Sequence, residues 1–303
     1  MHLPYVPDEN HGFFCKNICI FTNFKNCSMK FILFLALIIS SISFSQDEKA
    51  TLKSSKKGSF YVFWGWNRDL YTNSDITFTG PNYDFTIDGV EARDRQSPLT
   101  VDTYLNPKNL TIPQYNGHIG YYLTDKYSIS IGVDHMKYVM RANQINNVSG
   151  HIANSGTPFD GVYDNTPTLI SPKFLSFEHT DGLNYVNSEF RRSDKIYEKG
   201  KFNFYFSEGV GAGFVLPRTN TTLLGNPRYD QFNLAGFGML AFIDLNIDFN
   251  DRFFFRTEFK AGFIDLPNVR TTMFEADRAK QHFSFLESTM VLGVNLNTKT
   301  KKK

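Results

Sequence analysis

From Phe253 to Ile264 the chain reads FFFRTEFKAGFI, with Phe253, Phe255, Thr257, Phe259, Ala261 and Phe263 on one side and Arg256, Glu258 and Lys260 on the other. Successive side chains of a strand point to opposite faces, so this segment predicts a β-strand with one apolar and one charged face. The residues before it, LAGFGMLAFIDLNIDF (234–249), alternate in the same way. Eight long segments follow the pattern: Gly58–Asn67, Gln114–Leu123, Tyr127–Met140, Leu183–Tyr197, Lys201–Leu216, Tyr229–Phe249, Phe253–Ile264 and His282–Leu296. The fourth is the weakest, because Arg191, Arg192 and Asp194 have few apolar partners.

The connections fall into two classes. Thr124-Asp125-Lys126, Glu198-Lys199-Gly200 and Asn250-Asp251-Arg252 are tight turns built from turn-forming residues. The others, 68–113, 141–182, 217–228 and 265–281, are long, and short and long alternate without exception. That layout predicts an all-β fold: an eight-stranded antiparallel up-and-down transmembrane β-barrel, with short periplasmic turns and long extracellular loops. Within the first loop, 75–80 and 83–90 flank Pro81-Asn82 and predict a hairpin above the membrane.

Alternation does not say which face is inside, and a secreted lipocalin-like soluble binding barrel has the same strand number. Side-chain size separates the two. The polar faces carry rows of small residues, Gly209, Gly211 and Gly213 on one strand and Gly236 and Gly238 on the next. An eight-stranded interior is barely wide enough for side chains, so small residues belong inside and the Phe-rich faces outside. Tyr121, Tyr127, Phe202, Phe249 and Phe253 flank the tight turns, as an aromatic girdle at the periplasmic interface would.

Residues 29–45, MKFILFLALIISSISFS, have the charge, the short apolar run and the small residues of a secretory signal peptide. The run Phe31–Ile39 is shorter than the roughly 20 residues of a membrane-spanning helix. Residues 1–28 are expected to be an extension upstream of a true start at Met29. Cys15, Cys19 and Cys27 all lie in it, so the exported chain carries no cysteine, and a metal site there would have nowhere to act. The expected organisation is a periplasmic leader over 46–57, the barrel over 58–297 and a basic tail over 298–303. The net charge of +2 includes Lys299 and Lys301–Lys303, and no basic face suggests nucleic acid. The expected partners are outer-membrane lipid and lipopolysaccharide, the barrel-assembly machinery and, for a conducting lumen, a small solute.

On these features the chain over 58–297 resembles the small bacterial outer-membrane β-barrels, in the manner of the OmpA membrane domain and its eight-stranded relatives. The resemblance is architectural and implies the outer membrane of a Gram-negative bacterium. Barrels of this kind usually finish on an aromatic residue. This chain ends MVLGVNLNTKTKKK, with Leu296 and Thr298 where aromatics would stand.

The turn at Asn250–Arg252 fixes a register in which Asn246 faces Arg256 and Asp244 faces Glu258. Arg256 then has Asp244 and Asp248 as diagonal neighbours, and Lys260 has Asp244. Such a lumen network of Asp244, Asp248, Arg256, Glu258 and Lys260 reads either as a plug of structural ion pairs or as a gate for solute. The turn at Asp125 sets His118 opposite Gly132, with Ser130 and Asp134 diagonal to it. A serine, a histidine and an acid on one face have the chemistry of nucleophile, base and orienting group. The diagonal spacing of about 7–8 Å between Cα atoms is long for that. His135 and Lys137 fall outward near the top of their strand. Glu208 falls on an apolar face, where a β-bulge turning it inward is expected. Asp160, Asp164 and Asn165 lack the spacing of a calcium loop. No cofactor or metal is called for. The expected function is a non-enzymatic outer-membrane β-barrel for membrane integrity, surface contact or narrow solute passage, and the alternative is an outer-membrane lipid-modifying hydrolase.

Overall fold

The computed structural model describes residues 55–106, 108–109 and 112–296. The upstream extension, the signal peptide, most of the leader and the basic tail lie outside the described residues. Each of the eight alternating segments forms strand, though the one from Tyr229 is interrupted at 233–235. The strands are β1 (Phe60–Tyr71), β2 (Ser74–Gly80), β3 (Tyr83–Val90), β4 (Ala92–Arg93), β5 (Tyr115–Tyr122), β6 (Tyr127–Met140), β7 (Gln144–Ile152), β8 (Gly161–Ile170), β9 (Leu175–Lys199), β10 (Phe202–Leu223), β11 (Tyr229–Phe232), β12 (Gly236–Phe249), β13 (Phe253–Arg270) and β14 (Arg278–Leu296). One short helix, α1 (Val101–Leu105), interrupts the first long connection and is capped by the Thr100 side chain. Among the described residues no helix is long and apolar enough to cross a membrane.

Eight strands, β1-β5-β6-β9-β10-β12-β13-β14, pair antiparallel in that order, and β1 pairs β14 to close the ring. Register sets its dimensions. Facing residues run from Phe60 to Tyr121, Ile129, Phe190, Val210, Ala241, Ala261 and Leu286, and return to β1 at Leu70, ten residues above the start. With standard strand rise and spacing, that stagger gives a tilt of about 40° and a backbone about 8 Å from the axis. Only side chains fit inside.

The faces are sorted inside out relative to a soluble barrel. On β13, Phe259 is 61% exposed, while its neighbours Glu258 and Lys260 are 0% and 1% exposed. Ile131, Val210, Met239 and Leu292 likewise point outward and the polar positions between them inward. An apolar belt around a charged interior suits a lipid solvent, and it removes the lipocalin-like alternative.

Inward glycines make room for aromatic rings on the facing strand. Tyr61 lies opposite Gly120, His118 opposite Gly132, Phe242 opposite Gly209, Phe254 opposite Gly293 and Phe285 opposite Gly262. In each pair a Cβ on the glycine would overlap the ring it faces. Gly293→Val should therefore overpack the turn-side end of the lumen and cost about 1–3 kcal/mol, read as a lower urea midpoint for unfolding in detergent. An unchanged midpoint would mean that the Phe254 ring is free to leave.

Above the barrel several strands overrun their expected ends. The predicted first-loop hairpin is β2–β3, and β2 pairs the top of β14. A second hairpin, β7–β8, occupies the segment 141–182 that the sequence left as a connection, and it joins the first through β3–β7. β9 begins at Leu175, not Leu183, and β10 runs on to Leu223 past Pro217, where a register shift absorbs the missing N–H. The predicted strand from Tyr229 is broken, β11 pairing β10 separately before β12 starts at Gly236. These extensions enclose an apolar core that includes Ile76, Phe78, Phe85, Val148, Phe174 and Phe177. The same core continues downward through Tyr138, Tyr185, Phe283 and Phe285 into the upper barrel.

Candidate functional site

The lumen below that core holds a connected set of buried charges. Inward positions of five strands supply them: Asp134 from β6, Glu189 and Arg191 from β9, Asp244 and Asp248 from β12, Arg256, Glu258 and Lys260 from β13 and Glu287 from β14. Period-two geometry puts each on the inner face. The stagger then decides which of them meet.

Lys260 is the hub. Its Nζ lies 2.8 Å from Glu189, 3.0 Å from Asp134, 3.6 Å from Glu287 and 3.8 Å from Glu258. Arg191 is the second cation, bound to Asp244, to Glu258 at 2.6 Å and to Glu189 at 3.2 Å, with its guanidinium 4.2 Å over the Phe242 ring. Arg256 is a lesser partner. It reaches Glu258 and Asn246 at 3.3 Å and Asp244 at 3.8 Å, and packs over Phe254 and Phe63. Charges this deep are held by mutual pairing, because an isolated one would cost several kcal/mol.

The register expected for β12–β13 is the one observed, Asn246 facing Arg256 and Asp244 facing Glu258. Two expected pairings are not observed. Asp248 is taken by Lys56 and Asn246 instead of Arg256. Lys260 turns to Asp134 and Glu189, leaving Asp244 to Arg191. The end of the leader is also more than a tether. Lys56 is inserted under the barrel with its ammonium 4.2 Å over Tyr205, and Ser55 donates to Asp125 at 2.7 Å.

The structure brings Ser130, His118 and Asp134 closer than a diagonal spacing suggests. Ser130 Oγ lies 3.5 Å from His118 Nδ1, and His118 Nε2 lies 3.0 Å from Asp134 Oδ1. The His118 ring, lying across Gly132, closes the gap that Cα separation leaves open. All three are buried, and the ring is stacked on Phe63 at 5.0 Å and 12°. Asp134 also accepts from Asn116, from Asn187 at 2.9 Å and from Lys260. The ligand atoms of His118, Asp134 and Glu189 lie within 4.8 Å of one another. The Lys260 ammonium already sits on both carboxylates, where a metal ion would have to be.

Outside the lumen, the bulge in the β9–β10 ladder falls between Phe204 and Tyr205, not at Glu208. Glu208 therefore stays on the outward face beside Val210, opposite Arg192, with an ion pair at 3.7 Å. The cross-strand cation substitutes for the inward turn that the sequence predicts. His135 and Lys137 point outward yet are buried. His135 Nδ1 meets Asn184 at 2.7 Å, and Lys137 donates to the Ile112 carbonyl at 2.7 Å. Asp160 is bound locally by Ser155.

Closed ring, lipid-facing belt and filled polar lumen define a transmembrane β-barrel of the outer-membrane type. No family model and no curated protein matches the chain. Among solved structures it is similar to the outer membrane protein OprG from Pseudomonas aeruginosa, at 10% identity over 81% of this chain and 99% of that one, with a TM-score of 0.35. The outer membrane protein AlkL, solved in lipid bilayers, aligns at 9% identity over 86% and 100%, with a TM-score of 0.36. Ail of Yersinia pestis aligns at 9% identity over 78% and 99%, with a TM-score of 0.26. With overlaps this loose, what the barrel does has to be read from its own residues.

Proposed function

We propose that this chain is a non-enzymatic barrel of the outer membrane of a Gram-negative bacterium, serving membrane integrity or surface contact through the folded dome above its strands. One observation carries the reading: the lumen is filled twice, by the Lys260–Arg191 ion-pair network below and by an apolar core above. The side chains of both layers are almost wholly buried, so of the roles open to such a barrel, narrow solute passage fits worst. Outer-membrane lipid and lipopolysaccharide are the partners implied by the apolar belt, and the barrel-assembly machinery is the partner implied by membrane insertion. Purified protein in a planar bilayer should show no stepwise conductance. Regular single-channel steps in the wild-type protein would replace the plug with a pore.

The hydrolase alternative is favoured by the Ser130–His118–Asp134 distances alone. Against it, Lys260 competes for the acid, Phe63 stacks on the imidazole, and the serine is only 4% exposed. Incubation with lipopolysaccharide or phospholipid should release no fatty acid. Release that Ser130→Ala and His118→Ala both abolish, in barrels that still fold, would establish the enzyme.

A further inference from the structure

The four long connections, scattered over the sequence, meet in one cleft on the dome. Asn82 and Tyr83 come from the first, Asn154 from the second, Asn226 from the third, and Phe274 and Asp277 from the fourth. Backbone hydrogen bonds tie these loops together, Ala153 N–H donating to the Asn82 carbonyl at 2.8 Å and Leu224 N–H to the Phe174 carbonyl at 3.0 Å. Gly80 lets the Tyr83 ring and the Asp277 carboxylate close over it, since a Cβ there would overlap both. The cleft measures about 350 Å³, a size suited to a small ligand. Because its walls are already tied to one another, binding need not first order the loops.

Its polar groups are mostly of one kind. Asn82, Asn154 and Asn226 each offer an amide, donor and acceptor together, and among the described residues no hydrogen bond occupies these side chains. Asp277 adds one carboxylate, and no lysine or arginine lines the cleft. Tyr83 is 6% exposed, and its hydroxyl has no hydrogen-bond partner. Burial, with the Asp277 charge beside it, holds this phenol above its ordinary range, so it stays a donor. A buried hydroxyl left empty is unfavourable, and a ligand oxygen in the cleft would fill it. At the edge of the cleft Phe274 is 60% exposed and presents an aromatic ring to solvent.

We infer that this cleft binds a neutral pyranose unit of a glycan. Pyranose hydroxyls both donate and accept, as the three amides do, and the C–H face of a sugar ring packs on an aromatic side chain. An apolar ligand would leave the amides and the Tyr83 hydroxyl without partners. An anionic one would meet Asp277 with no lining cation to offset it. Such binding rests on the reading of the dome as a contact surface and makes a glycan its partner.

Purified barrel, in a detergent without a sugar headgroup, is titrated with the methyl pyranosides of glucose, galactose and mannose and followed by saturation-transfer NMR. At least one should bind saturably, and Phe274→Ala and Asn226→Ala should each weaken it roughly tenfold. Tyr83→Phe should weaken it too while leaving the urea midpoint unchanged, because the hydroxyl it removes holds nothing in the free protein. Phe232→Ala, which trims another exposed ring outside the cleft, should have no effect. Displacement of the bound pyranoside by lipopolysaccharide of the same cell would place the glycan in its own envelope. Displacement by dextran, galactan or mannan alone would place it on a foreign surface. Absence of saturable binding by all three pyranosides, or binding indifferent to both Phe274→Ala and Tyr83→Phe, would overturn the site. Attachment of whole cells that Phe85→Ala abolishes, by a protein that binds no pyranoside, would strike out the sugar and leave the contact.

Discussion

Lys260→Met should lower the unfolding free energy of the barrel by about 3–5 kcal/mol, the cost of removing one partner from a buried ionic cluster. The ammonium is 1% exposed and shared by Asp134, Glu189, Glu258 and Glu287. Met fills a similar volume without charge, so the loss isolates electrostatics from packing. Of the four acids, only Glu189 and Glu258 keep a second cation, Arg191. Adding Glu287→Gln to Lys260→Met removes one stranded charge and should recover part of the loss, a coupling that a double-mutant cycle measures. Arg256→Ala should cost less, about 1–2 kcal/mol, because Asp244 and Glu258 keep Arg191 and Asp248 keeps Lys56. The measurement is the urea midpoint in detergent, with the barrel's heat-dependent gel mobility as the test of folding. A Lys260→Met midpoint equal to wild type would mean that water reaches these carboxylates, and the plug would give way to a wet lumen.

The contrast between Lys260 and Arg256 marks what alternation can and cannot reveal. Period two fixes the face of every residue, and a tight turn fixes the register of its own hairpin. For that reason the eight strands, the inward set on β13 and the Asp244–Glu258 pairing were legible from FFFRTEFKAGFI and the turn before it. Lys260 meets Glu189 and Asp134, 71 and 126 residues away. These contacts depend on barrel stagger and on side chains crossing the lumen, which no local pattern encodes. Glu189 and Arg191 were hidden differently. Their strand reads as the weakest because Arg191, Arg192 and Asp194 have few apolar partners, although Asn187, Glu189 and Arg191 share one face and Ser188, Phe190 and Arg192 the other. Lys56 stands in a polar leader, and Asp69 and Asp94 lie beyond the predicted end of β1, in the first predicted long connection. The β7–β8 hairpin is hard to read from sequence because QINNVSGHI on β7 carries few apolar residues, of which Val148 and Ile152 are buried in the dome core.

That dome gives the other large expected effect. Phe85 on β3 is 1% exposed and stacks with Phe78 at 5.3 Å, meets Phe174 edge-on at 5.6 Å and touches Tyr83 at 5.9 Å. β3 is the strand that joins the first hairpin to the second, with β2 on one side and β7 on the other. Truncating a buried Phe typically costs about 3–5 kcal/mol through lost burial and the cavity left behind. No lipid surrounds the dome to hold its hairpins, whereas the ring below is closed by its own hydrogen bonds. Phe85→Ala should therefore loosen the dome and leave the barrel. Limited proteolysis of whole cells should cut the variant in the connections around β2–β3 and β7–β8 far faster than the wild type, while the membrane-embedded strands keep their gel mobility. If surface contact is the role of this protein, the same variant loses it with the barrel still inserted. Equal proteolysis of variant and wild type would show that the dome does not depend on its aromatic core. Loss of the barrel along with the dome would show instead that the core running down through Tyr138 and Phe283 makes the two a single cooperative unit.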